Sequence, residues 1–285
     1  MERILIIGTS GMLGSAMFRL LKSSSFHEVF GTVRSLRSLA GSALEGSSGL
    51  VDGVDTGDFD SVIAAFAAAR PTVVVNCVGL VKQLATSEDP LAVLPINSLL
   101  PHRLARLAAA TGARLVHIST DCVFSGKAGG YVETDPADAQ DLYGRSKFLG
   151  EVSAPNAVTL RTSIIGHELQ SAHGLVGWFL AQSGTVKGFT HAIFSGLPTV
   201  VLAEVVRDHV IPNRALSGVY HVSSAPIDKF SLLKLVAEVY AKATVIVPDA
   251  GLRIDRSLDS TRFRAATGFA PDDWPSLVRR MHAFH

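Results

Sequence analysis

The sequence predicts an α/β protein, a doubly wound parallel sheet followed by a smaller C-terminal α+β cap. Three observations predict it. Short apolar runs rich in β-branched residues alternate with helical patterns through the first half, and such runs suit parallel strands covered on both faces. A glycine-rich turn joins the first run directly to the first helix. After about residue 164 the strict alternation fades into loops, helices and an isolated strand pattern.

The strand candidates are "RILII" (3–7), "EVFGTV" (28–33), "TVVVNCV" (72–78), "ARLVHIST" (113–120) and "VTLRTS" (158–163). Between them, "GMLGSAMFRLLKS", "DFDSVIAAFAAAR" and "LPHRLARLAAATG" read as helices. The second starts at Asp58 as N-cap and ends before Pro71, and the third stops at Gly112. Strands alternating with helices argue for βαβ units. Residues 35–50, rich in Ser, Gly and Ala, read as a variable loop with one weak helical turn. Beyond the sheet, "FSLLKLVAEVYAK" (230–242) is an amphipathic helix and "ATVIVPD" a strand. The expected division is 1–165 for the sheet domain, with a return near 193–215, and 166–285 mainly for the cap.

Hydrophobic residues make up 47% of the 285, enough for a substantial core. Lys and Arg total 26 against 25 Asp and Glu, so neither nucleic acid nor an anionic membrane is an expected partner. "MERILIIG" is too short for a signal-peptide core, and no apolar run spans a bilayer. Two cysteines, Cys77 and Cys122, make no disulfide framework. A reduced cytoplasmic setting is the expectation. Ten histidines show no HExxH or comparable spacing, so no metal is expected.

Gly8, Gly11 and Gly14 form a GxxGxxG turn between the first strand and first helix. Glycine permits a sharp turn, close approach of a phosphate, and tight packing of helix on strand. Gly8, Ser10, Gly11, Met12, Leu13 and Gly14 are thus the expected pyrophosphate cradle of a Rossmann-type sheet, with the free N–H groups of the helix start facing the anion. The second strand ends "GTVRS", without the acid that would grip a ribose 2′-hydroxyl. Arg34 stands there instead, and a guanidinium favours a 2′-phosphate. NADPH is the expected cofactor, with NADH possible.

"HISTDCVFSG" (117–126) puts Thr120 at the C-terminal end of a strand, where open α/β sheets bind ligands. Tyr143 and Lys147 follow on a helix starting near Asp141, four residues apart and so on one side. A strand-end hydroxyl, Tyr-x-x-x-Lys and an upstream glycine loop are together far more specific than any one alone.

With these residues the chain resembles the extended short-chain dehydrogenase/reductases, and within them the dTDP-4-dehydrorhamnose reductase family. "GTSGMLG", "NCVG" (76–79), "INSLLPHRLARLAAATGARLVHISTDCVFSG", "YGRSKFLGE", "LRTSIIG" (160–166), "RSLDSTRF" and "PDDWPSLVRRM" match family-type segments in order. The resemblance implies NADPH-dependent reduction of the 4-keto group of a nucleotide-linked deoxy sugar in polysaccharide biosynthesis, and a homodimer. It places Asp55 near the adenine and Asn76 and Gly79 along the cofactor cleft. It makes Thr120 the hydrogen-bond donor to the substrate carbonyl, Tyr143 the general acid, and Lys147 its activator and a ligand of the nicotinamide ribose. Asn97 matches a family asparagine on the long helix. A free tyrosine titrates near ~10, and Lys147 beside it is expected to lower the phenol by about 2–3 pH units.

The chain departs from that pattern at Cys122, where an aromatic residue is common, and in "CVGLVKQ" after Asn76. Lys82 and Gln83 would then sit over the cleft, and the sugar stays open. Further substrate candidates are Asn97, Asp121, His167, Trp178 and Arg256. His167 is either a substrate contact or structural, and Trp178 either a stacking platform or core. Arg256 is either a phosphate ligand or a surface salt bridge. Two alternative functions stand beside the reductase. A sugar-nucleotide epimerase would hold NAD tightly, which Arg34 disfavours, and the related dehydratases pair Asp121 with a Glu that is missing. A non-catalytic, dinucleotide-binding regulatory subunit needs no activated phenol.

Overall fold

The computed structural model describes residues 1–24, 27–81 and 88–285. β1 (Glu2–Ile7) leads through the glycine turn into α1 (Met12–Lys22). β2 (His27–Thr32), a 3-10 turn over Leu36–Leu39 and β3 (Leu50–Val51) follow, then α2 (Phe59–Ala69). The Asp58 side chain accepts from the Asp60 N–H, capping α2 as its sequence position requires.

β4 (Val73–Asn76) precedes α3 (Pro90–Leu94), which runs through a π turn at Pro95–Leu99 into α4 (Leu100–Ala110). Pro101 has no N–H to return to the Asn97 carbonyl, and the Leu100 N–H reaches back five residues to Pro95 instead. The sequence pattern caught only the last stretch of this helix. β5 (Arg114–Thr120) and α5 (Leu142–Leu149) come next, α5 capped by the Asp141 carboxylate on the Gly144 N–H.

β6 (Ala157–Thr162) and β7 (Ile164–Ile165) lead into α6 (Leu175–Ala181), β8 (Thr185–Phe194) and β9 (Leu197–Pro198). α7 (Thr199–Val205) continues into a π turn at Val206–Val210, before β10 (Gly218–His221) and β11 (Ile227–Asp228). α8 (Lys229–Val239), β12 (Val245–Asp255), α9 (Thr261–Thr267) and α10 (Trp274–Ala283) complete the chain.

Seven strands form one sheet in the order β10-β6-β5-β4-β1-β2-β3, and every neighbouring pair is parallel. The period of two in each strand divides the core. Ile4, Ile6, Val75, Val116 and Leu160 bury on one face with α1, α7 and α10 residues, whereas Leu5, Ile7, Val74 and Leu115 bury on the other with α2 and α4 residues. β8, β11 and β12 form a separate three-stranded sheet with α8 packed against β8. β3, two residues long, is too short for the sequence pattern to reveal. The order reverses between β1 and β4, which fixes a crevice at their C-terminal ends. Among the described residues no helix is long and apolar enough to cross a membrane.

Arg114 locks the far end of the sheet. Its buried guanidinium donates from Nη1 to the Val210 carbonyl and from Nη2 to the Leu216 carbonyl, both at 2.7 Å. Removing it strands two buried acceptors. Arg114→Ala is expected to lower unfolding free energy by about 2–4 kcal/mol in urea titrations.

Candidate active site

The crevice begins at Gly8, whose φ of +87° only glycine adopts without strain. Its N–H donates to Thr32 Oγ1 at 3.1 Å and the Thr9 N–H to the Thr32 carbonyl at 3.0 Å, tying the turn to β2. A Cβ on Gly14 would lie 2.1 Å from the Gly8 carbonyl oxygen, so the first turn of α1 packs directly on the strand end. Gly11 caps α1 without a side-chain bond, and no acid occupies the first turn. That leaves N–H groups and a positive dipole end for an anion. This cradle fits a dinucleotide pyrophosphate. Ser10 is exposed and Met12 half-buried, whereas the Leu13 side chain is buried and can offer only its backbone.

Arg34 is exposed just beyond β2. An acid missed by the sequence reading stands next to it. Asp52, following β3, accepts from the Leu36 N–H at 2.8 Å. It escaped notice because the acid comes from the neighbouring strand, not from β2. Asp55 is exposed in the turn before α2, where its carboxylate accepts the Gly57 N–H at 2.9 Å.

At the end of β4, Asn76 is fully buried. Its Nδ2 pairs with His117 Nδ1 at 3.1 Å and its Oδ1 accepts the Val78 N–H at 3.1 Å. The expected cleft-lining amide is thus spent on holding the following loop. His117 is a buried strand residue, and burial together with Lys147 pushes its imidazole well below the ordinary value. Asn97, expected as a substrate contact, braces the same loop. Its Oδ1 accepts the Leu80 N–H at 2.9 Å, and its Nδ2 donates to the Leu80 carbonyl at 3.0 Å and Ser146 Oγ at 3.2 Å. It is fully buried, and both its Nδ2 protons are given to partners within the fold. Gly79 brings this loop to α5, with a position for Cβ 3.7 Å from Lys147 Nζ. Lys82 and Gln83 lie outside the described residues.

Thr120, Tyr143 and Lys147 converge at the C-terminal end of β5. The Thr120 hydroxyl shares a hydrogen bond with the Tyr143 phenol, lies 3.2 Å from Asp121 Oδ1, and accepts the Cys122 N–H at 3.1 Å. Lys147 is buried and donates from Nζ to the Ile118 carbonyl at 2.8 Å. Burial pushes its amine down to about 8. The expected lowering of the Tyr143 phenol is not found. Burial pushes it above its ordinary value, Cys122, Asp121 and Asp141 add to the rise, and only the Thr120 bond opposes it. The lysine donates to a backbone carbonyl, whereas the ionisable groups that act on the phenol are Cys122, Asp121 and Asp141.

Asp121 is buried, which pushes its carboxyl up, while the Arg256 charge and hydrogen bonds from Cys122, Thr120 and Ser163 hold it down. Arg256 donates from Nε to the Phe124 carbonyl at 2.8 Å. It therefore faces Asp121 at the catalytic end and is no surface salt bridge. His167 goes elsewhere. Its Nε2 bonds the Tyr240 hydroxyl at 2.7 Å and its ring stacks on His285 at 3.9 Å, beside Ser15 and Arg19 of α1. Trp178 is 38% exposed on α6 rather than in the core. Among the described residues no three His, Cys, Asp or Glu converge as metal ligands.

Residues 1–282 match the family model described as "RmlD substrate binding domain". The chain is 25% identical over 309 aligned positions to a dTDP-4-dehydrorhamnose reductase of Aggregatibacter actinomycetemcomitans, covering 100% of this chain and 99% of that one. A hypothetical dTDP-4-dehydrorhamnose reductase from Sulfolobus tokodaii superposes with a TM-score of 0.78 at 26% identity, over 95% of this chain and 98% of that one. A dTDP-4-dehydrorhamnose reductase from Bacillus anthracis, solved in complex with NADP, superposes with a TM-score of 0.79 at 20% identity, over 99% of each.

His117 and His167 give the fold a pH signature. Burial holds both below the ordinary histidine value, His167 at about 4 with help from His285, His282 and Arg19. Below about 6.5 the unfolded chain therefore binds more protons than the native one. Stability is expected to be full above that pH and to fall as pH drops toward 4. His167→Gln should flatten part of that slope in melting temperatures recorded across the range.

Proposed function

The chain belongs to the RmlD substrate binding domain family, and from that premise we propose that it is an NADPH-dependent reductase of a nucleotide-linked 4-keto deoxy sugar. The observation that carries the reading is the hydrogen-bonded Thr120–Tyr143 hydroxyl pair beside the buried Lys147 amine, at the rim that the glycine cradle opens onto.

Bound NADPH would supply the hydride for the carbonyl carbon, leaving as NADP⁺. The residues of the chain supply the rest. Gly8, Gly11 and Gly14, with the uncapped start of α1, hold the pyrophosphate. Arg34, exposed past β2, answers a 2′-phosphate with its guanidinium. Thr120 aims a hydroxyl at the carbonyl oxygen, whose negative charge grows as reduction proceeds. Tyr143 then transfers its phenolic proton to that oxygen. A phenol held above its ordinary value is fully protonated at neutral pH, as a proton donor must be. Lys147, one helical turn along α5, is the cation that would answer the phenolate once its proton has left. Asp121, facing Arg256, is held beside the Thr120–Tyr143 pair by hydrogen bonds from Thr120 and Cys122.

Each component has a cost when removed. With NADPH and a panel of nucleotide-linked 4-keto-6-deoxy sugars, the native chain should consume NADPH absorbance with one of them. Tyr143→Phe should cut kcat by ~10²–10⁴-fold with NADPH affinity little changed. Near-normal turnover by that variant would remove the proton-transfer assignment. Tight NADPH binding with no turnover on any sugar would remove the reductase reading.

A further inference from the structure

Beneath the catalytic rim lies a buried ion pair that the mechanism above does not use. Glu151 and Arg161 are a buried pair, each side chain 5% exposed. Arg161 donates from Nε to Oε1 and from Nη2 to Oε2 of Glu151, both at 2.7 Å, and Ser119 Oγ donates to Oε1 at 2.9 Å. The free Nη1 of Arg161 meets His221 Nε2 at 3.2 Å. His221 is therefore the neutral tautomer, giving its Nδ1 proton to the Tyr131 carbonyl at 3.0 Å. The backbone N–H of His221 donates to Glu133 Oε1 at 2.9 Å.

Lys147 belongs to the same set. It precedes Glu151 by four residues, one helical turn. Its Nζ bonds the carbonyl of Ile118 while Glu151 bonds the hydroxyl of Ser119, the next residue along β5. The Glu151 carboxylate is thus shared by Arg161, which pairs with it across the interior, and by Lys147 one helical turn before it, whereas the half-buried Glu133 meets the set through the His221 backbone N–H. Buried charges persist where they are paired and hydrogen-bonded.

We propose that Glu151 is a positioning residue for the reductase, its carboxylate clamped by Arg161 and Ser119 so that Lys147 stays an ammonium. The need for that ammonium rests on the reductase reading. The test of Glu151 does not. The groups facing Lys147 from the elements around it are Cys77 after β4, His117 on β5, Tyr143 on its own helix, and Glu151. Burial pushes the Cys77 thiol up to about 12 and keeps His117 neutral, so neither supplies a charge. Glu151 is the first of the groups holding the Lys147 amine up against burial.

The sign follows. An amine that loses its nearby anion deprotonates at lower pH, so removing the Glu151 charge must move Lys147 down from its value of about 8. A purely structural ion pair would lower stability and leave that titration where it is. The full-length protein is labelled with ¹³Cε-lysine, the Lys147 signal is assigned with Lys147→Met, and its pH titration is followed in native chain and Glu151→Gln. The expected result is a transition at least about 1 pH unit lower in the folded variant, with the alkaline limb of kcat/KM moving the same way. An unmoved transition in folded Glu151→Gln overturns the proposal. Should that variant not fold, Glu151→Asp and Glu151→Asn, equal in size and different in charge, replace it. Separate transitions support the proposal and coincident ones overturn it. Failure of every sugar to oxidise NADPH would strike the reductase reading while leaving the Lys147 titration to decide the role of Glu151.

Discussion

Lys147 holds its amine 2.8 Å from the Ile118 carbonyl, out of water, at the rim of a parallel sheet. Burying an ammonium costs several kcal/mol unless opposite charge and hydrogen bonds offset it. Much of the surrounding architecture answers that cost. The backbone carbonyl accepts one hydrogen bond from the amine, Glu151 stands one helical turn away as the proposed counter-anion, and Arg161 and Ser119 hold that carboxylate in place. The same strand residues then lead into Thr120, so the support for the charge and the placement of the Thr120 hydroxyl are one structural fact.

The second constraint is topological. Strand order reverses between β1 and β4, and the turns leaving those two strands meet. A Cβ on Gly8 would come within 2.6 Å of Val78, so the glycine cradle and the loop after Asn76 share a wall. Asn76 fixes that loop from below through Val78, and Asn97 fixes it from the side through both backbone groups of Leu80. Asn97 also reaches Ser146, one residue before Lys147. The loop beside the glycine turn and the helix that carries Tyr143 and Lys147 are therefore braced by the same buried amide.

Much of this was legible in the sequence because it is written in local signals. Continuous β-branched runs gave the central strands, Asp58 and Asp141 marked helix starts by their capping chemistry, and the glycine spacing marked the turn. The convergence of Thr120, Tyr143 and Lys147 followed from strand end and helical period. What escaped depends on partners distant in sequence. Asp52 approaches the Arg34 loop from another strand, and Glu151 finds Arg161 across β6. β3, two residues long, is shorter than any periodic pattern. His167 lies next to the cleft in sequence, yet Tyr240 and His285 draw it away. The acidity of Tyr143 ran opposite to expectation because burial and the acidic groups beside it outweigh a lysine engaged elsewhere.

The account stands on the transfer of a hydride to a sugar carbonyl at this rim, and one isotopic measurement tests it most directly. NADPH deuterated at nicotinamide C4 is turned over with the accepted nucleotide-linked 4-keto sugar, and the product is examined by mass spectrometry and NMR. The account predicts a single deuterium on the sugar carbon that bore the carbonyl, with oxidised cofactor formed in equal amount. A product without deuterium, or a sugar changed with no net oxidation of cofactor, would contradict it.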